Sequence, residues 1–252
     1  MNRINLSPLA SASTQQSNTH DDSQTQTTPT ASVFAFDKFA PQTESEVSVF
    51  APLNYVESYA YPLIIWLHSD GRSSSELESL MANVSVQNYV GIAPQASVGN
   101  FQCGYFWEQD FDSIEAAQVS IDESIRQATN RFNINPKRIF LAGSGGGGTM
   151  AIRIGLRQPD KFAGIISLNG QLPEGHSPLA QWSGCREMPI FWSYFLDTER
   201  HNEKMCDQFR FLCTAGFLNL SAREYPTQSL QETMAPNAIN CWIMEQIESA
   251  IL

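Results

Sequence analysis

Hydrophobic and polar positions divide the chain into an unpatterned start and a strongly patterned remainder. Residues 1 to about 30 are built from Ser, Thr, Gln, Asn and Ala, with hardly a large apolar side chain after Leu9. Such a stretch cannot bury enough surface to offset its ordering entropy, so 1–30 is expected to be a disordered tail. Residues 31–252 are expected to form one domain. Ser32–Phe39 and Glu46–Pro52 alternate apolar and polar residues as half-buried strands do. Leu63–Leu67 and Tyr89–Pro94 are continuous apolar runs, typical of strands covered on both faces. Between them Ser73–Met81 reads as a helix. Ile114–Phe132 is the clearest helix, with Ile114, Ala117, Ile121, Ser124, Ile125 and Ala128 along one face.

Further strands are expected at Arg138–Ala142, Ala163–Leu168, Pro189–Phe195 and Ser221–Tyr225, and further helices at Thr149–Arg157, Cys206–Ala215 and Ile239–Ile251. Strands alternating with helices imply an α/β domain with a largely parallel sheet, helices on both faces and right-handed crossovers. The 42% of hydrophobic residues suffices for a sizeable core.

Charge then removes one class of partner. The chain carries 15 Lys and Arg against 26 Asp and Glu, a net charge of −11, with no basic stripe, which argues against nucleic acid. No apolar run approaches the roughly 18 residues of a membrane span, and no charged-then-apolar leader opens the sequence. The five cysteines (103, 185, 206, 213 and 241) form no C-x-x-C pair and have no histidine at zinc-ligand spacing. They are expected to be reduced and mostly buried, which points to a cytoplasmic protein without metal or other cofactor.

The segment Arg138–Arg157, RIFLAGSGGGGTMAIRIGLR, carries the candidate chemistry. A buried strand runs into a glycine-dense turn and directly into an apolar helix. Two physical readings exist. Glycines can let backbone N–H groups approach a phosphate at a helix start, or they can permit the sharp turn that presents a nucleophilic serine. The phosphate reading lacks a Gly-Lys-Ser/Thr, and no comparable loop follows the N-terminal strands.

The segment resembles the phospholipase/carboxylesterase branch of the α/β-hydrolases, which includes acyl-protein thioesterases and typically reads R-I-F-L-A-G-F-S-Q-G-G-T-M-A. Arg138–Ala151 fits that pattern without a gap, and Asp160–Leu168 continues it in the family's F-A-G-x-I-x-L-x-G. His68-Ser69-Asp70-Gly71-Arg72 looks like the family's H-G-x-G-D loop. Pro189–Trp192 followed by Asp197 looks like the acid strand and loop, and Tyr225-Pro226 with Trp242–Met244 like the final strand and helix. The resemblance covers roughly 46–252 and implies an α/β-hydrolase fold.

It also implies where catalytic groups belong, and several are replaced. In the ungapped fit the nucleophile position falls on Gly145, which has no hydroxyl. Ser144 lies one residue early; a shifted reading, Ala142-Gly143-Ser144-Gly145-Gly146, satisfies a relaxed A-x-S-x-G. The family's order of Ser, acid, then His requires a histidine late in the chain. Only His20, His68, His176 and His201 exist, and His201 is too close to Asp197 to occupy a separate loop. Counting back from Trp242 puts Ser229 at the base position, and a serine has no base near neutral pH. Asp197 remains as a vestigial acid or an ordinary helix-capping residue. The oxyanion N–H groups would come from Gly146 and Asp70, where the Asp70 carboxylate would oppose an oxyanion unless it points away. Ser69 replaces the family's first loop glycine.

His68 and His176 are candidate pocket-lining residues, with Glu174 near the latter and Tyr105, Phe106 and Trp107 as an aromatic wall. Ser144, Ser229 and Asp197 are expected to converge in a polar pocket. Three functions follow from this pattern. The first is a catalytically inactive family member retained to bind a small acyl or ester-like ligand or a protein partner. The second is an active ester or thioester hydrolase using Ser144, and the third is a structural dimerisation module.

Overall fold

A computed structural model describes residues 47–175 and 182–249. The expected tail, the strand expected at Ser32–Phe39 and His176 lie outside these residues. Nine strands and six helices follow one another among the described residues. Strands β1 (Ser48–Phe50), β2 (Tyr61–Leu67), β3 (Val90–Ala93), β6 (Ile134–Ser144), β7 (Gly164–Leu168), β8 (Ile190–Phe195) and β9 (Leu220–Tyr225) form one sheet in the order β1-β3-β2-β6-β7-β8-β9. Only the β1–β3 pair is antiparallel. A separate hairpin, β4 (Val98–Asn100) with β5 (Gly104–Phe106), was not expected from the sequence.

Why the central strands read as unbroken apolar runs is visible in β2. Leu63, Ile65 and Leu67 point into one hydrophobic cluster, and Ile64 and Trp66 into the other. The first cluster is closed by helices α2 (Phe111–Arg131), α3 (Gly146–Arg157) and α5 (Glu199–Thr214), the second by α1 (Glu76–Val84) and α6 (Gln228–Ser249). A short helix α4 (Trp182–Cys185) precedes β8. Each strand residue is therefore covered whichever way it faces, and alternation disappears.

Boundaries moved where local chemistry outweighed periodicity. Asp110 caps α2 by accepting the Ser113 N–H at 3.0 Å, so that helix starts three residues earlier than Ile114. Thr198 does the same for α5 through the His201 N–H at 3.2 Å, so that helix starts seven residues earlier than Cys206. The expectation of mostly buried cysteines is corrected: all five are free, and only Cys185 is buried. The other four stand on helix surfaces or loops, where the apolar stripe faces away from them.

Trp242 joins three layers of the second cluster. Its ring lies 6.1 Å from Phe140 on β6 and 5.9 Å from Phe191 on β8, over the bare Cα of Gly164 on β7. Truncation there leaves a cavity that backbone cannot collapse into. Trp242→Ala is expected to lower stability by about 3–5 kcal/mol, read as a reduced midpoint in urea unfolding; a loss below about 1 kcal/mol would mean this contact does not hold the layers together.

Candidate functional site

The site is built around the turn from β6 to α3. Ser144 ends the strand, and Gly145 follows with φ 55° and ψ −124°. This left-handed backbone penalises any residue with a Cβ, so glycine adopts it at least strain. The Gly145 N–H donates to the Leu168 carbonyl at 2.8 Å, tying the tip to β7. Next, α3 begins with Gly146, Gly147 and Gly148. A Cβ on Gly147 would collide with the carbonyl oxygens of Leu67 and His68. The glycine run thus lets a helix start against the backbone at the end of β2.

The loop after β2 completes the site from above. The Asp70 Oδ2 accepts the Gly146 N–H at 2.8 Å, so the carboxylate turns toward the helix start and does not point away. Glu76, in the first turn of α1, braces this loop: Ser69 N–H and Ser69 Oγ each donate to its carboxylate at 2.7 Å, and Trp66 Nε1 donates at 3.3 Å. On the other side the β5 strand holds it, with Gly71 N–H on the Tyr105 carbonyl at 3.0 Å and Tyr105 N–H on the Arg72 carbonyl at 3.1 Å.

His68 is fully buried and lies outside the cleft wall where it was expected. Ala96 N–H and Gln95 Nε2 donate to its Nε2 at 3.2 and 3.0 Å, which makes that nitrogen the acceptor. The ring proton therefore sits on Nδ1 and is donated to the Ser69 carbonyl at 2.9 Å. Trp107 Nε1 caps the His68 carbonyl at 3.1 Å. Burial pushes the imidazole pKa below its usual 6.5, against the opposing pull of the Ser69 carbonyl, Glu76 and Asp70. His68 is a neutral brace joining the ends of β2 and β3.

A cleft of about 990 Å³ opens above the elbow. Ser144, Asp70, Arg72, Tyr105, Asn169 and Gln231 line it. The expected convergence is only partly realised: Ser144 reaches the cleft, while Asp197 and Ser229 are exposed and stand outside its lining. Ser229 falls within the first turn of α6, where its carbonyl accepts the Thr233 hydroxyl at 2.8 Å. Asp197 precedes α5, and Thr198 rather than Asp197 caps that helix. Of the aromatic wall, Tyr105 lines the cleft and Trp107 is buried in the core. Glu174 lies outside the lining; its carbonyl accepts the fully buried Arg153 Nη2 at 2.7 Å, beside Gly175 O on Nη1 at 3.0 Å and Gln109 Oε1 on Nε at 2.8 Å.

Sequence reasoning missed two residues of the cleft floor. Asn169, at the variable place in the family's L-x-G, has φ 55° and donates from Nδ2 to Gln231 Oε1 at 2.6 Å. Gln231 Nε2 donates on to the buried Ser193 Oγ at 3.0 Å, and Phe195 N–H donates to Asn169 Oδ1 at 3.2 Å. This amide chain links β7, β8 and α6 with neutral groups. The only sequence signal was an Asn able to take a left-handed backbone directly after a strand. Among the described residues no group of three or more His, Cys, Asp and Glu is placed to hold a metal ion, and no helix is long and apolar enough to cross a membrane.

Sheet order, two-sided helix cover and the strand–elbow–helix turn define an α/β-hydrolase fold. Residues 104–226 match the family described as Phospholipase/Carboxylesterase. The crystal structure of SOBER1 from Arabidopsis thaliana superposes with a TM-score of 0.60 at 22% identity, covering 75% of this chain and 100% of that one. A probable carboxylesterase, SOBER1-like, also from Arabidopsis thaliana, is 25% identical over 187 residues, covering 66% of this chain and 71% of the relative. The putative esterase NocK from Nocardia uniformis subsp. tsuyamanensis is 29% identical over 141 residues; the match covers 53% of this chain and spans only 39% of that relative's length.

The lowered His68 pKa fixes a pH dependence. Above the unfolded-state value of 6.5 the stability from the neutral ring is fully present. As the pH falls, the unfolded chain takes up a proton that the folded chain resists. Stability then declines until the lower folded pKa is passed, with a slope of up to about 1.4 kcal/mol per pH unit. Urea unfolding between about pH 7.5 and pH 5 should show this slope, and His68→Gln should flatten it. An identical profile in the variant would assign the pH dependence to other groups.

Proposed function

We propose that this chain is a non-hydrolytic member of the phospholipase/carboxylesterase α/β-hydrolases that keeps the cleft above the elbow for binding. The observation that carries the reading is the residue at the elbow tip: Gly145, in the left-handed conformation, offers no hydroxyl there. Gly145 then stands at the lost nucleophile position and Ser229 at the lost base position, with Asp197 a vestigial acid. Two further features support it. The described histidines are both outside the cleft lining, His68 buried between the ends of β2 and β3 and His201 in the first turn of α5. The cleft floor is laid with the neutral amides of Asn169 and Gln231, which have no proton-accepting nitrogen at physiological pH. A small ligand or a protein segment fits a polar cleft of about 990 Å³. Five free thiols, four of them exposed, support residence in a reducing compartment, in keeping with the cytoplasm.

The second reading is an ester or thioester hydrolase using Ser144. It is favoured by the place of Ser144 in the cleft lining and by the descriptions of NocK and the SOBER1-like protein as esterases. The full chain is to be incubated with a fluorophosphonate probe and with p-nitrophenyl acetate, beside Ser144→Ala. The expected outcome is no covalent adduct and hydrolysis no faster than in buffer, with the variant indistinguishable. An adduct on Ser144 by mass spectrometry, lost in Ser144→Ala, would establish the hydrolase instead.

A further inference from the structure

The Asp70 carboxylate has a place of its own in the site. Gly146 is the first helical residue of α3, and the N–H groups of a first turn have no intrahelical acceptors. Together with the helix dipole they form an anion-binding position. In this fold the N–H following the elbow tip is the donor that would hold an acyl oxyanion. Here that donor is already used, 2.8 Å from Asp70 Oδ2. A carboxylate oxygen is chemically what an oxyanion is: a charged acceptor of a charge-assisted hydrogen bond.

Occupancy extends beyond the one bond. A Cβ built on Gly145 would lie 3.0 Å from Asp70 Oδ2, and one on Gly146 would collide with Asp70 Oδ1. The carboxylate therefore lies over both residues, in the space into which a tip side chain and an acyl oxygen would project. It is held there from two sides, by Glu76 on Ser69 and by β5 on Gly71 and Arg72. Asp70 itself is exposed, and these bonds fix the loop backbone that aims its carboxylate at Gly146.

We propose that Asp70 is a built-in occupant of the elbow's anion position and determines which ligands the cleft accepts. It excludes carboxylates, phosphonates and acyl carbonyls from the Gly146 N–H, so a ligand of this cleft binds through the walls and floor without placing an acceptor oxygen at the elbow. This inference rests on the reading of Gly145 as an elbow tip without a nucleophile. It narrows the expected acyl or ester-like ligands to those that leave the elbow untouched.

Titration of the isotope-labelled full chain with methylphosphonate, followed by the Gly146 amide resonance, tests it. In the wild type the amide should stay unmoved. In Asp70→Ala it should shift saturably, with affinity at least about tenfold above wild type, the scale of one hydrogen bond to a charged group. Asp70→Asn keeps an acceptor oxygen for Gly146 and should behave as wild type. A saturable shift of the wild-type amide overturns the proposal without any variant. Equal binding by Asp70→Asn and Asp70→Ala also overturns it, since charge rather than occupancy would then be the barrier. A well-dispersed Asp70→Ala spectrum with no response would show that the exposed N–H is not an anion site, which likewise overturns it. Fluorophosphonate labelling of Ser144 with a silent wild-type Gly146 amide would remove the non-hydrolytic reading and leave the Asp70 assignment standing.

Discussion

Backbone meets backbone where α3 begins, and that approach organises the molecule. Gly147 admits no side chain because the carbonyls of Leu67 and His68 lie where a Cβ would be. Gly143 admits none because the Gly147 backbone lies over it. The end of β2, the end of β6 and the start of α3 are thereby drawn to one point. The His68 brace, the Asp70 loop and the Gly145 turn are all measured from it. Glycine in a helix costs about 1 kcal/mol relative to alanine, so three at one helix start are kept for the contact they permit.

Much of the fold was legible because burial writes itself into sequence. Leu63–Leu67 and Ile114–Phe132 are apolar in the two periods that strands and helices impose, and both elements formed close to where they were expected. Elements held by other means were harder to read. The α6 helix begins at Gln228 and runs through Pro236, although a proline inside a helix removes a hydrogen bond and usually marks an end. Pro236 is buried, and packing outweighs the lost bond. The β4–β5 hairpin has strands of three residues each, too short for any period to register.

At the candidate site the sequence identified positions better than environments. It located the elbow, the Asp70 loop and Ser144 in the cleft wall. It could not show that Asp70 turns inward, because that depends on Glu76 gripping the loop from one side and on Tyr105, in a hairpin too short to be read, gripping it from the other. Nor could it show His68 buried away from the cleft, since a histidine at a strand end reads the same whether it faces solvent or a backbone N–H just beyond the next strand. Asn169 and Gln231 lie 62 residues apart, and nothing local to either announces the pair.

The inward carboxylate also has a historical consequence under the non-hydrolytic reading. A serine restored at 145 would bring a Cβ to 3.0 Å from Asp70 Oδ2, at a backbone angle that already disfavours side chains. A change at 70 alone would uncover a donor beside a tip that has nothing with which to attack. Neither step returns chemistry by itself, because each leaves the other change still to be made. Under that reading Asp70 and Gly145 form a coupled pair, in which altering either one alone leaves the site without chemistry.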